Sequence, residues 1–125
     1  MSKKFSIDQA RTFNAEVDIP TLSGKAMKVP FTFKALDRVE LAKVYEGWNS
    51  YLKELKLKED TTMVEIVDIE VELQTKQILD LVEGWGFDDE FTEDNVKKLA
   101  TKLLGSTEAI VAAHNKAYAK LKEGN

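Results

Sequence analysis

The sequence contains no cysteine, which rules out disulfides, thiolate metal centres and a cysteine nucleophile, and suits a reducing compartment. Its one histidine, His114, cannot make a histidine metal site alone, and any Ser-His-Asp triad would have to be built on that residue. Glycine occurs six times and proline twice, with neither a GxGxxG run nor a P-loop among them, so no nucleotide cradle is encoded. No window reaches the roughly 18 consecutive apolar residues of a membrane span. Residues 1–4 are basic, but Asp8, Arg11 and Asn14 stand where a signal peptide needs an apolar run. The expectation is a protein that stays in the cytoplasm where it is made. Excess positive charge is lacking too: 18 basic against 22 acidic residues give a formal net charge of −4. That balance disfavours nucleic acid, because phosphate binding draws on clustered Lys and Arg.

What remains is a globular composition, 43% apolar and 32% charged, too hydrophobic for a disordered chain. A fold of this length buries roughly two-thirds of its unfolded surface, enough for one core. The expected fold class is mainly α, an N-terminal β-hairpin followed by about four helices in one small domain spanning residues 12–125. Residues 1–11 read as a flexible N-terminal tail with only Phe5 and Ile7 as apolar punctuation.

Phe13, Ala15, Val17 and Ile19 alternate with Asn14, Glu16 and Asp18, the period of a half-buried strand. Pro20 ends it, Ser23 and Gly24 supply a turn, and alternation resumes at Val29, Phe31 and Phe33 to complete a hairpin. Pro30 places this second run at a sheet edge or a strand start. Asp37 and Glu40 then form a capping-box pattern, with Leu36 and Leu41 at the spacing of a hydrophobic staple. Leu41, Val44, Tyr45, Trp48, Leu52 and Leu55 follow at helical steps and predict a helix over residues 38–57.

Thr62 and Glu65 open a second capping box. After it, Ile69, Val71 and Leu73 alternate like a strand, while Val64, Val67, Val71, Ile78 and Val82 repeat like a helix. The length without Gly or Pro favours helix, because a strand of about twenty residues lies outside normal limits; a strand over residues 62–73 is the alternative. Gly84, Trp85, Gly86 and Phe87 read as a helix-stopping turn. Thr92 caps a short helix with Val96, Leu99, Leu103 and Leu104 as apolar positions, and Phe91 staples to Val96. Gly105 stops it. Ser106 caps a last helix with Ile110, Val111, Ala113, Ala117, Tyr118 and Leu121 inside, and Lys116, Lys120 and Lys122 near its C-terminal dipole.

Candidate chemistry is sparse. Asp88, Asp89, Glu90, Glu93 and Asp94 lack the glycine and glutamate spacing of an EF-hand loop, and they read as charges suited to a helix N-terminus. His114 reads as a surface or half-buried helical residue. Trp48, Trp85, Phe87 and Phe91 read first as core or loop anchors, with both tryptophans largely buried, and second as interface hot spots. No catalytic, cofactor or metal residue is expected, so the protein is not expected to be an enzyme. The candidate partner-binding residues are Phe31, Phe33, Trp48, Trp85 and Phe87, the first two because an edge strand leaves apolar side chains available.

The run from Gly84 to Val96, Gly-Trp-Gly-Phe-Asp-Asp-Glu-Phe-Thr-Glu-Asp-Asn-Val, is followed by Leu99, Leu103, Gly105-Ser106, Glu108-Ala109-Ile110 and Ala117-Tyr118. It resembles the tail assembly chaperones of long-tailed, siphovirus-type bacteriophages. Phe31-Thr32-Phe33-Lys34 and Asp37-Arg38-Val39-Glu40 also look like the family's N-terminal half, so the likeness extends over residues 12–121. Residues 1–11 and 57–67 show nothing that aligns. The resemblance implies a non-enzymatic protein of the host cytoplasm that binds the tape measure protein, keeps it soluble and helps recruit the major tail protein. Several copies per client, and with them a homo-oligomer, belong to that picture, as does a longer frameshifted form in many members. The competing expectation is a small acidic inhibitor or adaptor that binds a single target.

Overall fold

A computed structural model describes residues 5–122. The elements run β1 (Thr12–Ile19), β2 (Met27–Lys34), α1 (Arg38–Glu54), α2 (Met63–Leu81), β3 (Val82–Trp85), α3 (Glu93–Lys102) and α4 (Ser106–Lys122). Four helices therefore follow an N-terminal antiparallel pair, and the segment that could be read either way, residues 62–73, is helical once its cap at Thr62 is passed. Residues 1–4 of the expected tail lie outside the described residues, and residues 5–11 are exposed.

β1 and β2 pair antiparallel from Thr12 with Lys34 to Ile19 with Met27. The alternation maps onto two faces: Val17, Ile19, Val29, Phe31 and Phe33 are buried, whereas Asn14, Glu16, Asp18 and Lys28 are exposed. One face is thus packed and the other solvated, as antiparallel sheets allow. Gly24 closes the connection at φ 87°, its amide donating to Thr21 O at 3.2 Å.

The hairpin is the outer part of a three-stranded sheet, ordered β1-β2-β3, which corrects two expectations. The segment at Gly84 and Trp85 is not only a turn: the chain leaves α2 at Val82 and runs straight into a strand whose Trp85 pairs with Phe31. β2 is therefore central, not an edge. Pro30 is tolerated there because the carbonyl and nitrogen of one strand residue face the same side. Pro30 O accepts from Gly86 N at 2.8 Å, so the missing N–H faces β3 where that strand ends, and no bond to β1 is lost. The approach is close: a Cβ on Gly86 would lie 2.6 Å from the Pro30 ring Cγ.

The core gathers on the packed face of the sheet. Val17, Ile19, Phe31 and Phe33 meet Trp48 of α1, Ile78 and Leu81 of α2, Val96 and Leu99 of α3, and Ile110 of α4. Each fully buried side chain of this kind contributes about 1.5–3 kcal/mol. Both expected capping boxes form: Asp37 Oδ1 accepts from Val39 N and Glu40 N at 2.9 and 2.8 Å, and Thr62 Oγ1 accepts from Glu65 N at 3.2 Å. Backbone hydrogen bonding at the Glu40 amide holds the Asp37 carboxyl below its ordinary value, and bonding to Thr62 does the same for Glu65.

One helix end, two leucines and one cap differ from the sequence pattern. α1 stops at Glu54, not at Leu57: Leu52 and Leu57 are 52% and 58% exposed and only Leu55 is half-buried, so little packing supports a further turn. Leu104 and Leu121 are exposed, at the α3–α4 turn and one turn beyond the Tyr118 anchor respectively. Ser106 is not a cap: its hydroxyl is buried without a partner among the described residues. Gly105, at φ 88°, makes the turn instead, its carbonyl accepting from Ala109 N at 3.1 Å.

Candidate interaction surface

β3, the loop after it and α3 together build an aromatic groove. Trp85 stands at the end of β3, half-buried, with Phe87 at 5.0 Å and Phe91 at 5.1 Å between ring centroids, both edge-to-face. Phe31 reaches both from beneath, 6.2 Å from Trp85 and 6.0 Å from Phe87. Such edge-to-face pairs add about 0.5–1.5 kcal/mol beyond their buried area, so the cluster is pre-organised. The indole Nε1 donates to Asp89 O at 2.7 Å, and Asn95 Nδ2 donates to Glu90 O at 2.8 Å, fastening the acidic loop over the start of α3.

α3 supplies the other wall. Its N-cap Thr92 accepts from Asn95 N at 3.2 Å, and Glu93 and Asp94 in its first turn suit the helix dipole. Leu99 and Leu103 then face the aromatic side, and Lys98 and Lys102 rim it. The open groove measures about 230 Å³. Lys98 is 3.3 Å from Asp89; with both partners half-exposed, that ion pair contributes little stability. An apolar floor with a polar rim is the anatomy of a protein-binding patch.

Of the sequence candidates, only Trp85 and Phe87 come together at this surface. Trp85 is half-buried instead of largely buried because its ring forms one wall of the groove. Phe31 and Phe33 are 1% and 0% exposed; as residues of a central strand facing the helices, they offer no surface to a partner. Trp48 is 7% exposed and its Nε1 donates to Asp80 Oδ2 at 2.8 Å, which makes it a core anchor. Leu99 is buried at 7% exposed, as its spacing predicts, and forms the groove floor; Leu103 is half-buried, and Lys98 and Lys102 were missed at the rim because no local pattern places α3 opposite Trp85.

A second apolar surface lies at the start of α2, where Met63, Val64 and Val67 are 75%, 70% and 45% exposed. The helical repeat had placed Val64 and Val67 inside. The available signal was that Met63, Val64, Ile66, Val67 and Ile69 surround the helix on more than one face, more than one neighbour can cover.

His114 is fully buried, not a surface or half-buried residue. It lies against Phe13, Phe33 and Tyr118, at 5.6, 5.5 and 4.8 Å between ring centroids, with Nε2 3.1 Å from Lys34 O. Since a carbonyl only accepts, Nε2 carries the proton, and Nδ1 has no partner among the described residues. Burial pushes its pKa below the ordinary value, and the bond to Lys34 O opposes that in part. Among the described residues, no group of three His, Asp or Glu side chains is arranged to hold a metal ion, and no helix is long and apolar enough to cross a membrane.

A family model described as phage tail assembly chaperone matches residues 1–125, the whole chain. The chain belongs to the phage tail assembly chaperones, the family that the run from Gly84 resembles. No curated protein and no solved structure matches significantly.

Proposed function

We propose that this chaperone binds helical segments of the tape measure protein without turnover, keeps them soluble in the host cytoplasm and helps recruit the major tail protein. Residues 12–125 act as one unit in this role, with several copies per client. The observation that carries the reading is the groove of Trp85, Phe87, Leu99 and Leu103: an apolar floor held open by a rigid aromatic cluster, beside a rim of Lys98 and Lys102. A long helical client exposes apolar stripes that aggregate unless such surfaces cover them.

Co-expression with a tape measure protein tests it. The wild-type chain is expected to shift the client from the pellet to the soluble fraction and to co-purify with it. Phe87→Ser combined with Lys102→Glu is expected to lose most of that effect while the circular dichroism spectrum is retained. A client that stays insoluble beside folded, abundant wild-type protein contradicts the reading and favours an adaptor of a single target.

A further inference from the structure

The two halves of α2 are held differently. Val71, Thr75, Ile78 and Leu81 of the later half are buried. In the first two turns every residue is exposed or half-exposed. The side-chain hydrogen bonds from α1 reach only the middle and later part of α2, Tyr51 Oη to Glu72 at 3.3 Å and Trp48 Nε1 to Asp80 at 2.8 Å. Met63, Val64 and Val67, at positions i, i+1 and i+4, share one uncovered face. Val64, Ile66 and Val67 are β-branched and add little intrinsic helicity. At the start of α2 the face of Met63, Val64 and Val67 is thus left uncovered by the described residues, while Ile66 and Ile69 are half-buried.

Charge identifies what fits it. Between Met63 and Thr75 the chain carries Glu65, Asp68, Glu70 and Glu72 and no basic residue. Residues 53–72 hold three lysines and seven carboxylates, a net −4, which is the whole of the chain's formal charge; the remaining residues balance at fifteen of each sign. A second copy presenting the same face would meet like charge. An apolar stripe flanked by carboxylates instead complements a helix whose apolar stripe is flanked by Lys and Arg.

We infer that the α1–α2 end of the molecule is a docking site, separate from the aromatic groove, for a basic amphipathic helix. It rests on the chaperone reading only for the source of that helix, a tail protein. The face of Met63, Val64 and Val67 covers the helix stripe, and Asp68 and Glu70 meet its cations.

The probe is a synthetic amphipathic helix with a Leu stripe and Lys flanks, compared with its Glu-flanked analogue by fluorescence anisotropy. Wild-type protein is expected to bind the Lys peptide at least about tenfold more tightly than the Glu peptide, with binding weakening as salt is raised. Asp68→Lys with Glu70→Lys, and separately Val64→Ser with Val67→Ser, are each expected to weaken it by about tenfold or more with an unchanged circular dichroism spectrum. Phe87→Ser is expected to leave it unchanged. Equal affinity for the two peptides, no binding, or loss in Phe87→Ser but not in the α2 variants overturns the inference. Self-association of the free chain that Val64→Ser with Val67→Ser abolishes also overturns it, and assigns the face to a second copy. A client solubilised by a protein that ignores the Lys peptide leaves the chaperone reading standing and removes only this site; the converse result removes the chaperone reading alone.

Discussion

The later half of α2 packs Ile78 and Leu81 at 0% exposure into the core, while the first half leaves Met63 and Val64 at 75% and 70%. The first half is the more apolar of the two, with Met63, Val64, Ile66, Val67 and Ile69 against Leu73, Ile78, Leu79 and Leu81, so hydrophobicity alone does not fix which part of a helix is core. The neighbours do: Trp48, Val82, Phe31 and Phe33 stand beside the later half, whereas α1 has already ended where the earlier half begins. The early turns are held chiefly by the Thr62 and Glu65 capping box, a local device of about 1 kcal/mol. A binding surface and a core can therefore share one helix.

Substitutions should separate the two halves by size of effect. Trp48→Ala removes a buried indole and its bond to Asp80, which keeps Lys76 at 3.5 Å, and is expected to cost about 3–5 kcal/mol by urea unfolding. A loss under about 1 kcal/mol would show that the α1–α2 packing is not core. Gly86→Ala is next: its Cβ would meet the Pro30 ring at 2.6 and 2.8 Å, and a proline ring has little freedom to move. About 1–3 kcal/mol is expected. A neutral outcome would mean that β3 can slide along β2.

Acidification should act through His114. Its pKa is lowered in the folded state by burial, so the unfolded chain binds the proton first as pH falls. Stability is full above the unfolded value near 6.5 and declines from there down to the folded pKa, with a slope of up to about 1.4 kcal/mol per pH unit. Thermal melts between pH 7.5 and 5.5 check this, and His114→Phe, which fits the aromatic surroundings, should flatten the profile over that range. The smallest effect belongs to the uncovered face: Val64→Ser with Val67→Ser is expected to change stability by under about 1 kcal/mol, and a larger loss would place those residues in a packed interface.

Local signals in the sequence were good guides to this fold. Strand alternation at Phe13 to Ile19, the caps at Asp37, Thr62 and Thr92, and the breaker at Gly105 each depend on neighbouring residues, and each lies where its pattern puts it. Tertiary facts were not legible. That Pro30 could sit in a central strand depends on which side of the sheet Gly86 approaches, over fifty residues away in sequence. Burial of His114 depends on Lys34 and Phe13 meeting α4. The groove was half legible: Trp85 and Phe87 stand out as aromatics beside glycine, but the wall of Leu99 and Leu103 looks like any core stripe until α3 is placed opposite them.

Backbone amide hydrogen exchange along α2, with and without a tape measure protein, tests most directly whether one helix serves as both core and client surface. In the free protein, amides of residues 64–69 should exchange far faster than those of residues 75–81. Addition of the client should slow the first group strongly and leave the second nearly unchanged. Equal protection of the two halves in the free protein, or a client that binds without slowing residues 64–69, would contradict the account.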